Sequence, residues 1–184
     1  MQPDRPCGDC VACCVTPKID IPELQKAEGE VCPNCTGHGC AIYDRRPGVC
    51  RTFNCGWKRI ASMPVETRPD HLGVMLTIER HLPPRNLFEH VFYIAVATHD
   101  PRALESPRAR DALAMLSEGV LPVWTCWQGV KHLLHPDPAL ADAILNPAPN
   151  PDRELVRKGR EWLERYAPFA RTFAGEHTRL PYGL

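Results

Sequence analysis

Nine cysteines fall between Cys7 and Cys55, about one residue in five of that stretch, and a tenth, Cys126, stands far away from them. The stretch is otherwise rich in Pro and Gly and poor in long apolar periods. Such a segment cannot bury enough side chain to hold itself together, so loops and short helical turns joined by something other than a core are expected. The N-terminus, MQPDRPCGDC, lacks a charged start followed by an apolar run, and no later apolar stretch approaches about 20 residues, the length of a membrane span. A cytoplasmic protein that does not enter a membrane is expected, and in a reducing compartment crowded thiols favour metal over disulfides. The odd count and the adjacent pair Cys13 and Cys14 also fit a simple set of paired bridges poorly.

The spacing supports the same reading. Cys7, Cys10, Cys13 and Cys14 form an opening cluster in which two intervening residues let two sulfurs reach one metal, a spacing shared by zinc and iron–sulfur sites. On a helix, Cys7, Cys10 and Cys14 share a face while Cys13 points aside and is available to a second site. Cys32, Cys35 and Cys40 follow, among Pro33, Gly37 and Gly39, which permit tight turns. Cys50 and Cys55 complete the set, and a four-thiolate site has to draw on more than one of these groups. All nine are candidate metal ligands. Four thiolates around a zinc ion, or around an oxidised four-iron cluster, leave a surplus of negative charge, which Arg45, Arg46, Arg51, Lys58 and Arg59 are placed to balance. Plain solvation of each is the competing role.

The strings CGDCVACC and CPNCTGHGCAIYDRRPGVCRTFNCGW together resemble the YkgJ-like family of CxxCxxCC proteins, described as zinc- or iron-chelating and often as iron–sulfur proteins. The resemblance rests on the opening cluster, the GCAIY segment, Arg46–Pro47, and Cys50–Arg51 with Cys55 after it. It covers about residues 7 to 59, and RPDHLGVML is similar to a stretch of longer members. It implies an iron–sulfur cluster or zinc as cofactor, with an electron-transfer or accessory role; related clusters occur in flagellin lysine methylases. The family pattern has one cysteine fewer than the nine here, which leaves Cys32 or Cys35 as the extra thiol. Structural zinc, or passing a soft metal to a protein partner, are the other roles open to the same residues.

After residue 62 the pattern is that of an ordinary α+β unit, so we expect a cysteine module at 1–62 and an α+β domain at 63–184. LGVMLTIER and FEHVFYIAVATHD read as strands joined through HLPPRN, and LPVWTCW and VKHLLH as a hairpin around Gln128–Gly129. Helices are expected at PRARDALAMLSEG, at Pro138 to Leu145, and at RELVRKGREWLERYAPF, whose Leu155, Val156, Trp162, Leu163 and Tyr166 lie in a charged background. GEHTRLPYGL has no periodicity and reads as a tail or strap. The overall expectation is a metal-organised N-terminal module packed on a small antiparallel sheet with two or three helices.

Charge excludes a further class. Lys and Arg balance Asp and Glu at 22 each and are interspersed, so no basic stripe suggests nucleic acid. Cys126, between Trp124 and Trp127, reads as a small buried hydrophobe and is excluded from the metal site. His38 reads as an exposed loop residue. His132 and His135 would face opposite ways on a strand. No nucleophile elbow, P-loop or dinucleotide fingerprint is present.

Overall fold

The computed structural model describes residues 5–81 and 83–174, with the side chains of 171–174 left undescribed. The expected tail at 175–184 lies outside the described residues. The chain is α+β, with a two-stranded and a four-stranded sheet and several helices. It forms two compact units. The first takes the described residues up to Thr77 with Ala95–Ala112 and Thr125–Lys131, and the second takes Ile78–Ile94, Leu113–Trp124 and the chain from His132 onward.

The cysteine-rich segment opens with the one-turn helix α1 (Ala12–Val15) and then makes a hairpin of β1 (Ile19–Ile21) and β2 (Leu24–Lys26). The register is antiparallel, with Ile19 opposite Lys26, Asp20 opposite Gln25 and Ile21 opposite Leu24. A 3-10 turn at Tyr43–Arg45 leads into the short helices α2 (Gly48–Thr52) and α3 (Gly56–Arg59). Loops and short turns were expected here; the hairpin was not. Ala12, Val15, Leu24, Trp57 and Met63 are buried, a thin apolar foundation for so long a stretch.

Beyond it come α4 (Pro69–Leu72), β3 (Val74–Glu79), β4 (Phe92–Ala97), α5 (Pro107–Ser117), β5 (Val123–Trp127) and β6 (Val130–His135). The strand order in the larger sheet is β3-β4-β5-β6. Two residues, Gln128 and Gly129, connect β5 to β6, and both have positive φ, 47° and 79°, as a tight antiparallel hairpin demands. The connection from β3 to β4 is longer than the expected turn, because Leu87–Glu89 forms a 3-10 turn and the strand begins only at Phe92.

Two helices close the chain, α6 (Pro138–Leu145) and α7 (Arg153–Ala174). Asp137 caps α6 by accepting from the N–H groups of Ala139 and Leu140 at 2.9 and 3.4 Å, with Pro138 in the first turn, where its missing N–H costs nothing. Asp152 caps α7 in the same way, accepting from Glu154 and Leu155 at 2.8 and 2.9 Å. Along α7 the residues Gly159, Trp162, Leu163, Tyr166, Ala167 and Ala170 are buried, a stripe of helical period. The core of the second unit gathers Phe88, Val91, Ala141, Ile144, Trp162, Leu163, Tyr166 and Ala170, with Ile78, Leu87 and Leu133 packed against it. The helix runs through Pro168, five residues past the expected end, because that proline lies on the exposed side.

Candidate metal centre

All nine candidate thiols lie in the first unit, and the backbone gathers them from three directions. Cys7 and Cys10 close a turn in which the Cys10 N–H donates to the Cys7 carbonyl at 3.2 Å. Gly8 makes that turn possible. Its φ of +59° is a left-handed conformation, and a Cβ there would stand 2.9 Å from Nη1 of Arg68. Arg68 uses the space to hold the turn, donating to the Cys7 carbonyl at 3.3 Å and to Asp9 Oδ1 at 2.8 Å. Helix α1 then presents Cys13 and Cys14 in succession.

Arg5 brings the start of the chain to α3. Its guanidinium donates to the carbonyls of Trp57 and Ala61 at 2.9 and 3.0 Å and lies 5.2 Å from the centre of the Trp57 ring. Cys55 occupies the N-cap position of that helix without a side-chain cap hydrogen bond; burial raises its thiol pKa, and the nearby N–H groups of Lys58 and Trp57 work against that rise. At Cys10 burial raises the thiol pKa; the N–H groups of Ala12 and Asp70 work against the rise and the Asp70 carboxylate adds to it. N–H groups aimed at sulfur favour the thiolate, which is the form that binds metal.

The remaining thiols gather around Cys14. The Cys32 N–H donates to the Cys14 carbonyl at 2.8 Å, the Cys35 N–H donates to the Cys32 carbonyl at 2.9 Å, and Cys35 pairs with Cys40 across an antiparallel bridge. Cys35 lowers the Cys14 thiol pKa, against the larger upward effects of Cys13 and of burial. Cys50, on α2, is close enough to feel the charges of Cys32, Cys14 and Cys40.

Electrostatics reflect this crowding. Burial pushes the thiols of Cys10, Cys50 and Cys55 up, and the neighbouring sulfurs raise Cys50 and Cys55 further. Between Cys13 and Cys14 a side-chain hydrogen bond divides the pair, holding Cys13 below the usual thiol value and Cys14 far above it. Cations stand close by. Arg46 bears on Cys50 while lying 3.5 Å from the centre of the Tyr43 ring, and Lys58 bears on Cys55. Arg45, Arg51 and Arg59 are exposed.

Sequence reasoning missed two cations. Lys26, only 4 % exposed, donates from Nζ to the carbonyls of Val15, Pro17 and Ala27, and its charge acts on Cys32 and Cys14. Burial holds its pKa below the ordinary lysine value. Arg68 also pairs with Asp70 at 2.7 Å, and although burial opposes ionisation of Asp70, the guanidinium keeps its carboxyl below the usual carboxylate range. A two-residue connection, Pro22–Glu23, between Ile19-Asp20-Ile21 and Leu24 is the signal that could have placed Lys26 on a strand.

The excluded residues lie where expected. Cys126 is 3 % exposed, with its sulfur 3.8 Å from Glu28 Oε1; His38 is exposed; His132 is exposed and His135 half-buried, on opposite sides of β6. As the side chains lie, no three Cys, His, Asp or Glu residues among the described ones form a group able to hold a metal ion. Coordination requires that the sulfurs give up their protons. The donor set itself, all thiols with cations nearby, fits a soft or borderline metal and suits neither calcium nor magnesium.

No protein-family model, curated protein or solved structure matches the chain. The reading of the site therefore rests on its residues. No helix among the described residues is long and apolar enough to cross a membrane.

Proposed function

We propose that this chain is a cytoplasmic metalloprotein of the YkgJ-like CxxCxxCC kind, which holds an iron–sulfur cluster, or zinc in its place, through Cys7, Cys10, Cys13, Cys14, Cys32, Cys35, Cys40, Cys50 and Cys55. The observation that carries the reading is that all nine thiols lie in one unit, together with a buried lysine whose charge acts on Cys32 and Cys14. An iron–sulfur cluster would supply electron transfer; zinc with four thiolates would be structural. In either case the chain's own residues bind the metal and screen its negative charge, in an electron-transfer or accessory role alongside a protein partner.

Anaerobic purification followed by iron, zinc and acid-labile sulfide analysis tests the reading. Brown protein with matched iron and sulfide supports the cluster. Colourless protein with stoichiometric zinc supports the structural role instead. Protein that retains neither metal and takes up neither on reconstitution refutes both.

A further inference from the structure

We propose that a cleft in the first unit, lined by Thr16, Glu28 and Trp127, binds a small organic cation, an ammonium or guanidinium group on a short alkyl stem. The proposal does not rest on the metal-binding reading, and the cleft and the thiols can be tested apart.

Three segments build the cleft, which has a volume of about 260 Å³. Thr16 follows α1 and Gly29 lies beyond β2, and the Gly29 N–H donates to the Thr16 carbonyl at 3.2 Å, which holds these two positions together. At the end of β4, Thr98 donates from its N–H and its hydroxyl to the Gly73 carbonyl at 2.9 and 3.0 Å and so fixes its neighbours Ala97 and His99, both on the lining. The end of β5 and the turn after it supply Trp127 and Gln128. The Gly129 N–H donates to Glu28 Oε1 at 3.3 Å and holds the carboxylate beside that turn.

The lining decides the sign of the ligand. Glu28 is its one carboxylate, and no lysine or arginine among the described residues lines it. Both described contacts of that carboxylate use Oε1, from the Gly129 N–H and the Cys126 sulfur, which leaves Oε2 for a ligand. Lys26 is near enough for its charge to be felt, but its Nζ is spent on three backbone carbonyls. Trp127, half-buried, supplies a ring of the kind that attracts cations and accepts alkyl groups. One carboxylate and one histidine are too few donors to hold a metal ion.

Thr16 is an independent sign of a ligand. It is 2 % exposed, and its hydroxyl has no hydrogen-bond partner among the described residues. A buried hydroxyl left unpaired lowers stability, and an N–H of a bound cation would satisfy it. The volume falls below the range of about 300–1,000 Å³ that suits drug-sized ligands, so the occupant is a small fragment.

The test titrates the full nitrogen-15-labelled chain, with metal loading held fixed, with n-butylguanidinium and follows the amide resonances. Shifts are expected at the Gly29, His99, Gln128 and Gly129 amides and the Trp127 indole N–H, with a Kd on the order of 1 mM for so small a probe. Glu28→Gln, which keeps an oxygen for the Gly129 N–H, should weaken binding about tenfold or more. Thr16→Val should weaken it by a factor of about three to ten, while the unliganded variant melts no lower than the native chain. A lower melting temperature for that variant would remove Thr16 from the site. Pentanamide and pentanoate, neutral and anionic probes of similar length, should not bind, and shifts from either equal to those from the cation overturn the charge assignment. Binding of Nα-acetyl-argininamide as tight as that of the free cation assigns the site to a polypeptide side chain, its exclusion to a free metabolite, and both support a cation site. No shifts at about 10 mM butylguanidinium, shifts scattered away from the cleft, or binding that Glu28→Gln leaves unchanged overturn the proposal. The comparison of the cationic, neutral and anionic probes needs no variant.

Discussion

Gly56 and Gly48 each begin a short helix in the cysteine segment, and substituting alanine at the two positions should have opposite consequences. At Gly56 a Cβ would stand 3.0 Å from both the Cβ and the carbonyl oxygen of Leu76 and 3.2 Å from its carbonyl carbon. Comfortable carbon contacts begin near 3.5 Å, so one side must yield by about half an ångström. Two of the three opposing atoms are backbone, in the middle of β3, and Leu76 is buried. Overpacking of this kind costs about 1–3 kcal/mol. Relief of glycine's helical penalty returns at most about 1 kcal/mol, and less at a first-turn position. Gly56→Ala should therefore destabilise the protein by about 1–2 kcal/mol. At Gly48 nothing lies within 4 Å of the added Cβ, so Gly48→Ala should be neutral or slightly stabilising. Urea unfolding of the two variants and the native chain, under identical metal loading, measures the difference as a shift in midpoint at unchanged slope. Equal midpoints for the two variants would refute the claim that α3, and Cys55 at its cap, is seated by backbone contact with β3.

In the second unit, Tyr166 is fully buried, and its hydroxyl lies within 3.4 Å of the Val91 N–H and 3.2 Å of the Leu87 and Val91 carbonyls. Tyr166→Phe keeps the ring stacked on Trp162 but orphans these groups, and a loss of about 1–3 kcal/mol in urea unfolding is expected, with metal content unchanged. Glu89 is 3 % exposed and accepts from Arg85 Nε and Nη2 at 2.9 and 2.8 Å; burial opposes its charge, yet Arg85 holds its pKa below the usual glutamate value. A depressed carboxylate stabilises the fold above its unfolded pKa and loses that contribution as pH falls through the folded one. Glu89→Gln should thus be less stable than the native chain at neutral pH and converge with it in acid, and parallel pH–stability curves would contradict this. Cys126→Ser should leave metal content intact, and loss of metal in that variant would remove Cys126 from the excluded residues.

Much of the α+β part was legible in the sequence because strong local signals agreed there. Asp137 with Pro138 and the largely apolar run to Leu145 define α6, and Gln128–Gly129 between two β-rich runs defines the β5–β6 turn. The hairpin β1–β2 escaped because its strands have three residues each and the position opposite Ile19 is a lysine. Alternation over three residues carries little information, and a lysine reads as a solvent-facing residue until its three carbonyl acceptors are seen. The connection before β4 was misjudged for a related reason. Phe88, Val91 and Phe92 form one apolar run in sequence, but Asn86 accepts from the Phe88 N–H at 2.9 Å and turns the first part into a 3-10 helix. Spacing put all nine thiols in one segment, and helix geometry set Cys13 apart from Cys14, yet the two side chains are each other's largest electrostatic influence.

The position of Lys26 also changes how the charge of the thiols is balanced. The sequence suggested a ring of surface arginines, but an exposed guanidinium acts through water and is screened within about 10 Å at ordinary salt. Of those five cations, only Arg46 and Lys58 bear on a thiol in the described electrostatics of Cys50 and Cys55. Lys26 works differently. Burying an ammonium is costly unless hydrogen bonds and an opposing charge offset it. Three carbonyls satisfy its hydrogen bonds, but they are neutral. Opposing charge on the lysine is contributed by Cys32, Glu30, Cys14 and Glu28, of which the two carboxylates carry theirs at neutral pH without any metal. The carboxylates of Glu28 and Glu30 compensate the buried cation in part, and a metal–thiolate centre of net negative charge at Cys14 and Cys32 would add to that compensation. Lys26 therefore favours negative charge at Cys14 and Cys32 without distinguishing zinc from an iron–sulfur cluster, since four thiolates leave either one anionic.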